Sequence, residues 1–68
     1  MTRMRVNGVE VEIVATTVAE LLVAHGVDPG TRFLAIAVNG SVVRRGEWAS
    51  RNLSPGDSVE IVRPLQGG

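Results

Sequence analysis

Cysteine is missing from all 68 residues. Disulfide staples, thiolate metal sites and a thiol nucleophile are therefore excluded. Histidine occurs once, at His25, which rules out a multi-histidine metal site. Lysine is absent too: the seven basic residues are Arg3, Arg5, Arg32, Arg44, Arg45, Arg51 and Arg63. Seven acidic residues balance them. No basic excess is left to neutralise phosphates, so nucleic acid is not an expected partner. No apolar run approaches the roughly 20 residues that span a bilayer, and Met1–Val6 has no apolar signal region. The expectation is a cytoplasmic chain with no membrane partner.

Hydrophobic residues make up 44% of the chain and charged residues 21%, an ordinary globular composition. The length fits a single domain, 1–68. A domain this small draws only about 3–5 kcal/mol from its core, so the core must be well patterned.

Asn-Gly, the strongest short hairpin signal, occurs twice. A two-residue turn at Asn7-Gly8 sets Val6 opposite Val9, Arg5 opposite Glu10, Met4 opposite Val11 and Arg3 opposite Glu12. Alternation then puts Met4, Val6, Val9, Val11 and Ile13 on one inner face and two opposite-charge pairs on the other. Thr17 with Glu20 three residues on reads as a capping box. It opens a helix whose stripe is Val18, Leu21, Leu22 and His25 and whose end is Gly26. His25 in the last turn suits the negative end of the helix dipole. Asp28-Pro29-Gly30 is a turn, and Phe33–Val38 reads as a strand. Asn39-Gly40 returns it into Ser41-Val42-Val43, with Ile36 facing Val43 and Val38 facing Ser41. Ala35, Ala37 and Val42 share the outer side. Gly46–Ala49 is a short helical turn, with Trp48 as a lid on the core. Ser54–Asp57 turns into a last strand, Ser58–Val62, with Val59 and Ile61 inward.

Hairpin, helix, hairpin and final strand imply an α+β domain in which one helix covers one face of a mixed sheet of four to five strands. With the first and last strands central and parallel, this is a ubiquitin-like β-grasp.

No enzyme site is legible. His25 has no serine or cysteine motif around it, Glu10 and Glu12 lie beside arginines, and no loop has the form that cradles phosphate. The C-terminal segment is the exception. Pro64 stops the last strand, and residues 64–68 read as a flexible tail. Gly67 and Gly68 lack Cβ atoms, so they can thread a narrow channel and adopt conformations closed to other residues. A terminal carboxylate is ionised at neutral pH and can attack the α-phosphate of ATP.

These residues resemble the ThiS family of thiamine-biosynthesis sulfur carriers, from Val6-Asn7-Gly8 to Gly68. The matching segments are Thr17–Leu22, Ala37–Gly40 with Val42-Val43, Arg45, Trp48, Gly56–Val62 and Gln66–Gly68. One departure is Arg44, where the family usually has proline. The resemblance implies a non-enzymatic carrier whose Gly68 is adenylated by an E1-like adenylyltransferase (ThiF-like) using ATP, with Gly67 as spacer. Sulfur from a persulfide donor, such as a cysteine desulfurase, would make a thiocarboxylate that supplies thiazole synthase (ThiG-like). No cofactor or metal is expected to stay bound. Leu65, Gln66 and Gly67 would occupy the partner channel, with Leu65 as the anchor. Ala35, Ala37, Val42 and Arg44 are the candidate partner surface. The small subunit of molybdopterin synthase, another thiocarboxylate carrier and a ubiquitin-like modifier remain the alternatives.

Overall fold

The computed structural model describes residues 2–63. The expected tail, 64–68, with Leu65, Gln66, Gly67 and Gly68, lies outside the described residues. Five strands form one sheet: β1 (Thr2–Val6), β2 (Val9–Ile13), β3 (Ala35–Val38), β4 (Ser41–Val43) and β5 (Ser58–Val62). One helix, α1 (Val18–Ala24), and a 3-10 turn at Arg45–Glu47 complete the fold. The strand order is β2-β1-β5-β3-β4, and β1 runs parallel to β5 at the centre. This is the β-grasp arrangement.

Both Asn-Gly turns have the expected backbone. Asn7 and Gly8 have φ of 51° and 82°, and Asn39 and Gly40 have 52° and 84°. Positive φ at both central residues matches the twist of the flanking strands. The expected registers follow: Val6 opposite Val9 and Arg3 opposite Glu12 in the first hairpin, Ile36 opposite Val43 and Val38 opposite Ser41 in the second. Met4, Val6, Val18, Leu21, Leu22, Ile36, Val38 and Val59 fill the core between sheet and helix, closed by Trp48.

Val9 departs from the expected inner face in burial: it is 61% exposed. It lies beside the turn on an edge strand, with one neighbouring strand, whereas its partner Val6 is flanked by β2 and β5 and is buried. The second strand also begins later than expected, at Ala35. Phe33 has φ of 61°, a left-handed backbone that ends strand geometry and is unusual for a bulky residue.

The helix is capped at both ends. Thr17 Oγ1 accepts the Glu20 N–H at 3.2 Å, as a capping box requires. The Glu20 carboxylate, however, accepts from Thr16, from its N–H and its hydroxyl at 2.7 Å each, instead of the N-cap N–H. The first helical N–H groups, Val18 and Ala19, donate to the carbonyls of Arg51 and Trp48, both at 3.0 Å. The segment after the 3-10 turn therefore supplies acceptors that a helix start otherwise lacks. At the other end His25 is the C-cap and Gly26, at φ 81°, follows it. Gly26 N–H donates to Val23 O at 3.1 Å and Val27 N–H to Leu22 O at 2.8 Å, a Schellman ending. Leu22 and Val27 are both buried, the apolar contact that accompanies it.

Candidate functional site

The sheet face opposite the helix is built by alternation. Residues that alternate with the buried Ile36, Val38, Val59 and Ile61 must face away from the core. Ala35 pairs with Val62 and Ala37 with Glu60 across β3 and β5, and Ala37 pairs with Val42 across β3 and β4. The expected surface residues are thus brought together: Ala37 lies directly beside Val42, and Ala35 is two residues along the same strand. Val42 is 78% exposed, Ala35 is exposed and Ala37 is half-buried. Val62, 58% exposed, extends this strip to the end of β5. Its pairing with Ala35 is non-local, so the sequence pattern alone did not join it to the others.

Arg44 follows β4 with φ −66° and ψ 147°. Proline is locked near this φ, so arginine preserves the backbone that proline imposes at this place. Its carbonyl accepts the Glu47 N–H at 2.8 Å, which starts the 3-10 turn and brings Trp48 over the core. Trp48 is buried and its Nε1–H donates to Val43 O at 2.9 Å, as a lid with a satisfied polar tip. The Arg45 guanidinium sits 4.6 Å from the Trp48 ring. It donates to the carbonyls of Pro29 and Thr31, tying the loop before β3 to the lid.

β5 is held by two asparagine side chains. The Asn7 amide accepts the Ile61 N–H at 2.8 Å and donates to Ile61 O at 3.2 Å. Asn39 Oδ1 accepts the Ser58 N–H at 2.9 Å. Each asparagine therefore makes a tight turn and also completes the ladder of a distant strand. Sequence reasoning found the turns and missed the second role, for which the only signal was the choice of asparagine over aspartate or glycine.

An open groove of about 530 Å³ crosses the other half of this face, lined by Arg3, Met4, Arg5, Glu10, Pro55, Gly56 and Ser58. Arg3 pairs with Glu12 at 3.6 Å. Among the described residues no cluster of three metal-ligating side chains occurs, and the described helix is too short to cross a membrane. His25 stands at the helix C-cap, away from this face.

The profile of the ThiS family matches residues 4–68. The chain belongs to the ThiS family. No curated protein matches it. Two solved structures of a thiamine biosynthesis protein (ThiS) from Geobacter metallireducens are similar to it, each 27% identical with a TM-score of 0.80. The crystal structure covers 98% of this chain and 100% of that one; the solution structure covers 98% and 88%. ThiS-family proteins are non-catalytic sulfur carriers of thiamine biosynthesis, which agrees with the expectation from the C-terminal residues.

Proposed function

We propose that the chain carries sulfur as a thiocarboxylate on Gly68. The supporting observation is the ThiS-family match, which runs through Gly67 and Gly68 on a β-grasp whose last strand ends at Val62. In the first step a Gly68 carboxylate oxygen attacks the α-phosphorus of ATP on an E1-like adenylyltransferase, and pyrophosphate leaves. The terminal sulfur of a donor persulfide, such as that of a cysteine desulfurase, then attacks the acyl carbon, and AMP leaves. A second thiol cleaves the resulting acyl disulfide, which frees the thiocarboxylate and leaves a disulfide behind. Thiazole synthase takes the sulfur.

ATP is the activating enzyme's substrate in this reading, and the carrier holds no cofactor. Gly67, Gln66 and Leu65 occupy the channel, where side-chain-free glycines let the end approach the phosphate. The strip of Ala35, Ala37 and Val42, with Arg44 beside it and Val62 added, is the partner face. Small side chains there allow close approach of a second backbone, and exposed apolar patches mark interaction sites.

The test is intact-protein mass after incubation with ATP, the cognate activating enzyme and a sulfur donor. The expected gain is the mass difference between one sulfur and one oxygen atom, mapped to the C-terminal peptide and abolished by deletion of Gly68. Deletion withdraws the carboxylate by about 3.3–3.6 Å, where misplacement by about 1 Å already costs on the order of 100-fold. A gain that persists without Gly68, or isopeptide conjugates in place of a thiocarboxylate, would overturn the reading.

A further inference from the structure

Phe33 is the only phenylalanine in the chain, and it is 78% exposed. Its φ of 61° is a conformation that bulky side chains avoid, and such outliers persist only where the surroundings hold them. The flanking residues are tied to the core. Arg45 bonds the carbonyls of Pro29 and Thr31 from a position stacked on buried Trp48, and Leu34, next to Phe33, is buried. Among the described residues the cation at the ring is the neighbouring Arg32, 5.5 Å from its centroid. The chain thus fixes an aromatic ring in water on a clamped loop, with no core packing gained from the ring.

Its place gives it a use. Phe33 precedes Ala35 by two residues, at most about 7 Å of chain, and Ala35 pairs with Val62, the last residue of β5. The loop that carries Phe33 therefore enters the sheet beside the strand end from which the chain continues toward Gly68. Five residues follow Arg63, a reach of at most about 18 Å when fully extended. Any protein that holds the Gly68 carboxylate must bring its surface within that distance of Arg63, at the sheet end where β3, with the Phe33 loop before it, pairs with β5. Arg32 precedes Phe33 and Arg63 follows the end of β5, and neither has an ion-pair partner among the described residues.

We infer that Phe33 is the anchor by which the ATP-using activating enzyme seats this carrier, entering an apolar socket bordered by carboxylates beside the channel for the tail. The inference rests on the carrier reading above. Activation is the step that needs the anchor most, because misplacing the carboxylate from in-line attack on the α-phosphorus by about 1 Å already costs on the order of 100-fold, whereas the sulfur acceptor receives an end that is already activated. A rigid, pre-placed aromatic suits such a role, because little side-chain freedom is lost on docking.

Phe33→Gly separates this role from folding, since glycine accepts φ 61° without strain and the ring is exposed. In ATP–pyrophosphate exchange with the cognate activating enzyme, Phe33→Gly is expected to raise KM for the carrier about 10- to 100-fold with kcat within about two-fold. Phe33→Tyr should restore KM, and the thermal midpoint of Phe33→Gly should equal or exceed that of the wild type. Wild type that is not adenylated at all would overturn the carrier reading and this inference with it. Wild type that is adenylated, with Phe33→Gly unchanged in KM, overturns this inference alone. So does a KM effect confined to sulfur delivery, or a wild-type dimer that Phe33→Gly dissociates while its exchange kinetics stay the same.

Discussion

Replacing Asn7 by glycine should loosen the last strand while leaving the first turn intact. Asn7 already has φ 51°, so glycine keeps the turn and the hairpin register. What disappears is the amide that accepts the Ile61 N–H at 2.8 Å and donates to Ile61 O at 3.2 Å. A net hydrogen bond is worth about 0.5–1.5 kcal/mol, so the pair contributes about 1–3 kcal/mol. Glycine relieves the residual cost of a left-handed asparagine and adds unfolded-state entropy; these act in opposite directions and are each about 1 kcal/mol or less. The expected loss is about 2 kcal/mol, a large share of what a core of this size supplies. At about 4–8 °C per kcal/mol for a domain of this length, the thermal midpoint should fall by about 8–16 °C. Urea unfolding measures the loss, and hydrogen exchange at the Ile61 amide locates it: that amide should exchange faster while those of Val6 and Val9 keep their protection relative to global unfolding. Asn39→Gly is the comparison, with a smaller effect because its bonds to Ser58 and Asp57 are exposed. A loss under about 0.5 kcal/mol with unchanged Ile61 exchange would show that the clamp contributes nothing.

Gly26→Ala should lower stability by about 1–2 kcal/mol, read by urea unfolding; a Cβ there meets nothing within 4 Å, so the cost lies in φ 81° and not in crowding. Glu20 has its carboxyl held below the ordinary glutamate value, first by the Thr16 backbone N–H and then by the Thr16 hydroxyl. A lowered folded-state pKa adds stability above the unfolded pKa that is lost as pH falls through the folded one. The advantage of wild type over Glu20→Gln should therefore be present at neutral pH and shrink as the solution is acidified below the ordinary glutamate range; an advantage that grows with acid refutes it. Ala37→Glu should still fold, losing about 0.2–1 kcal/mol to the like charge of Glu60 directly opposite, and should weaken adenylation by the activating enzyme, since it adds a charge beside Val42 and Ala35; unchanged adenylation kinetics would remove that strip as the partner face.

Local chemistry was legible wherever neighbours in sequence are also neighbours in space. Asn7-Gly8 and Asn39-Gly40 determined two hairpins and their registers, because a two-residue turn leaves no freedom in the pairing that follows it. Thr17, Leu21, Leu22 and Gly26 determined a capped amphipathic helix, and the Gly67-Gly68 end, with the family resemblance, pointed to the expected carrier chemistry. The β-grasp order followed from requiring one helix to cover one sheet.

Tertiary structure decided what depends on distant partners. Val9 and Val6 look alike in the alternating pattern, yet an edge position exposes one and two flanking strands bury the other. The Glu20 carboxylate turned to Thr16, and carbonyls of Trp48 and Arg51 took the first helical N–H groups; acceptors some 30 residues away have no local signature. Val62 joined Ala35 on the sheet face opposite the helix only through the pairing of β3 with β5. Phe33 belonged to a strand by composition, but the Arg45 clamp on the preceding loop and the left-handed backbone at Phe33 itself set the ring in solvent. Periodicity and turn residues act over a few bonds, whereas burial, clamps and exposed side chains depend on which segments the sheet sets side by side.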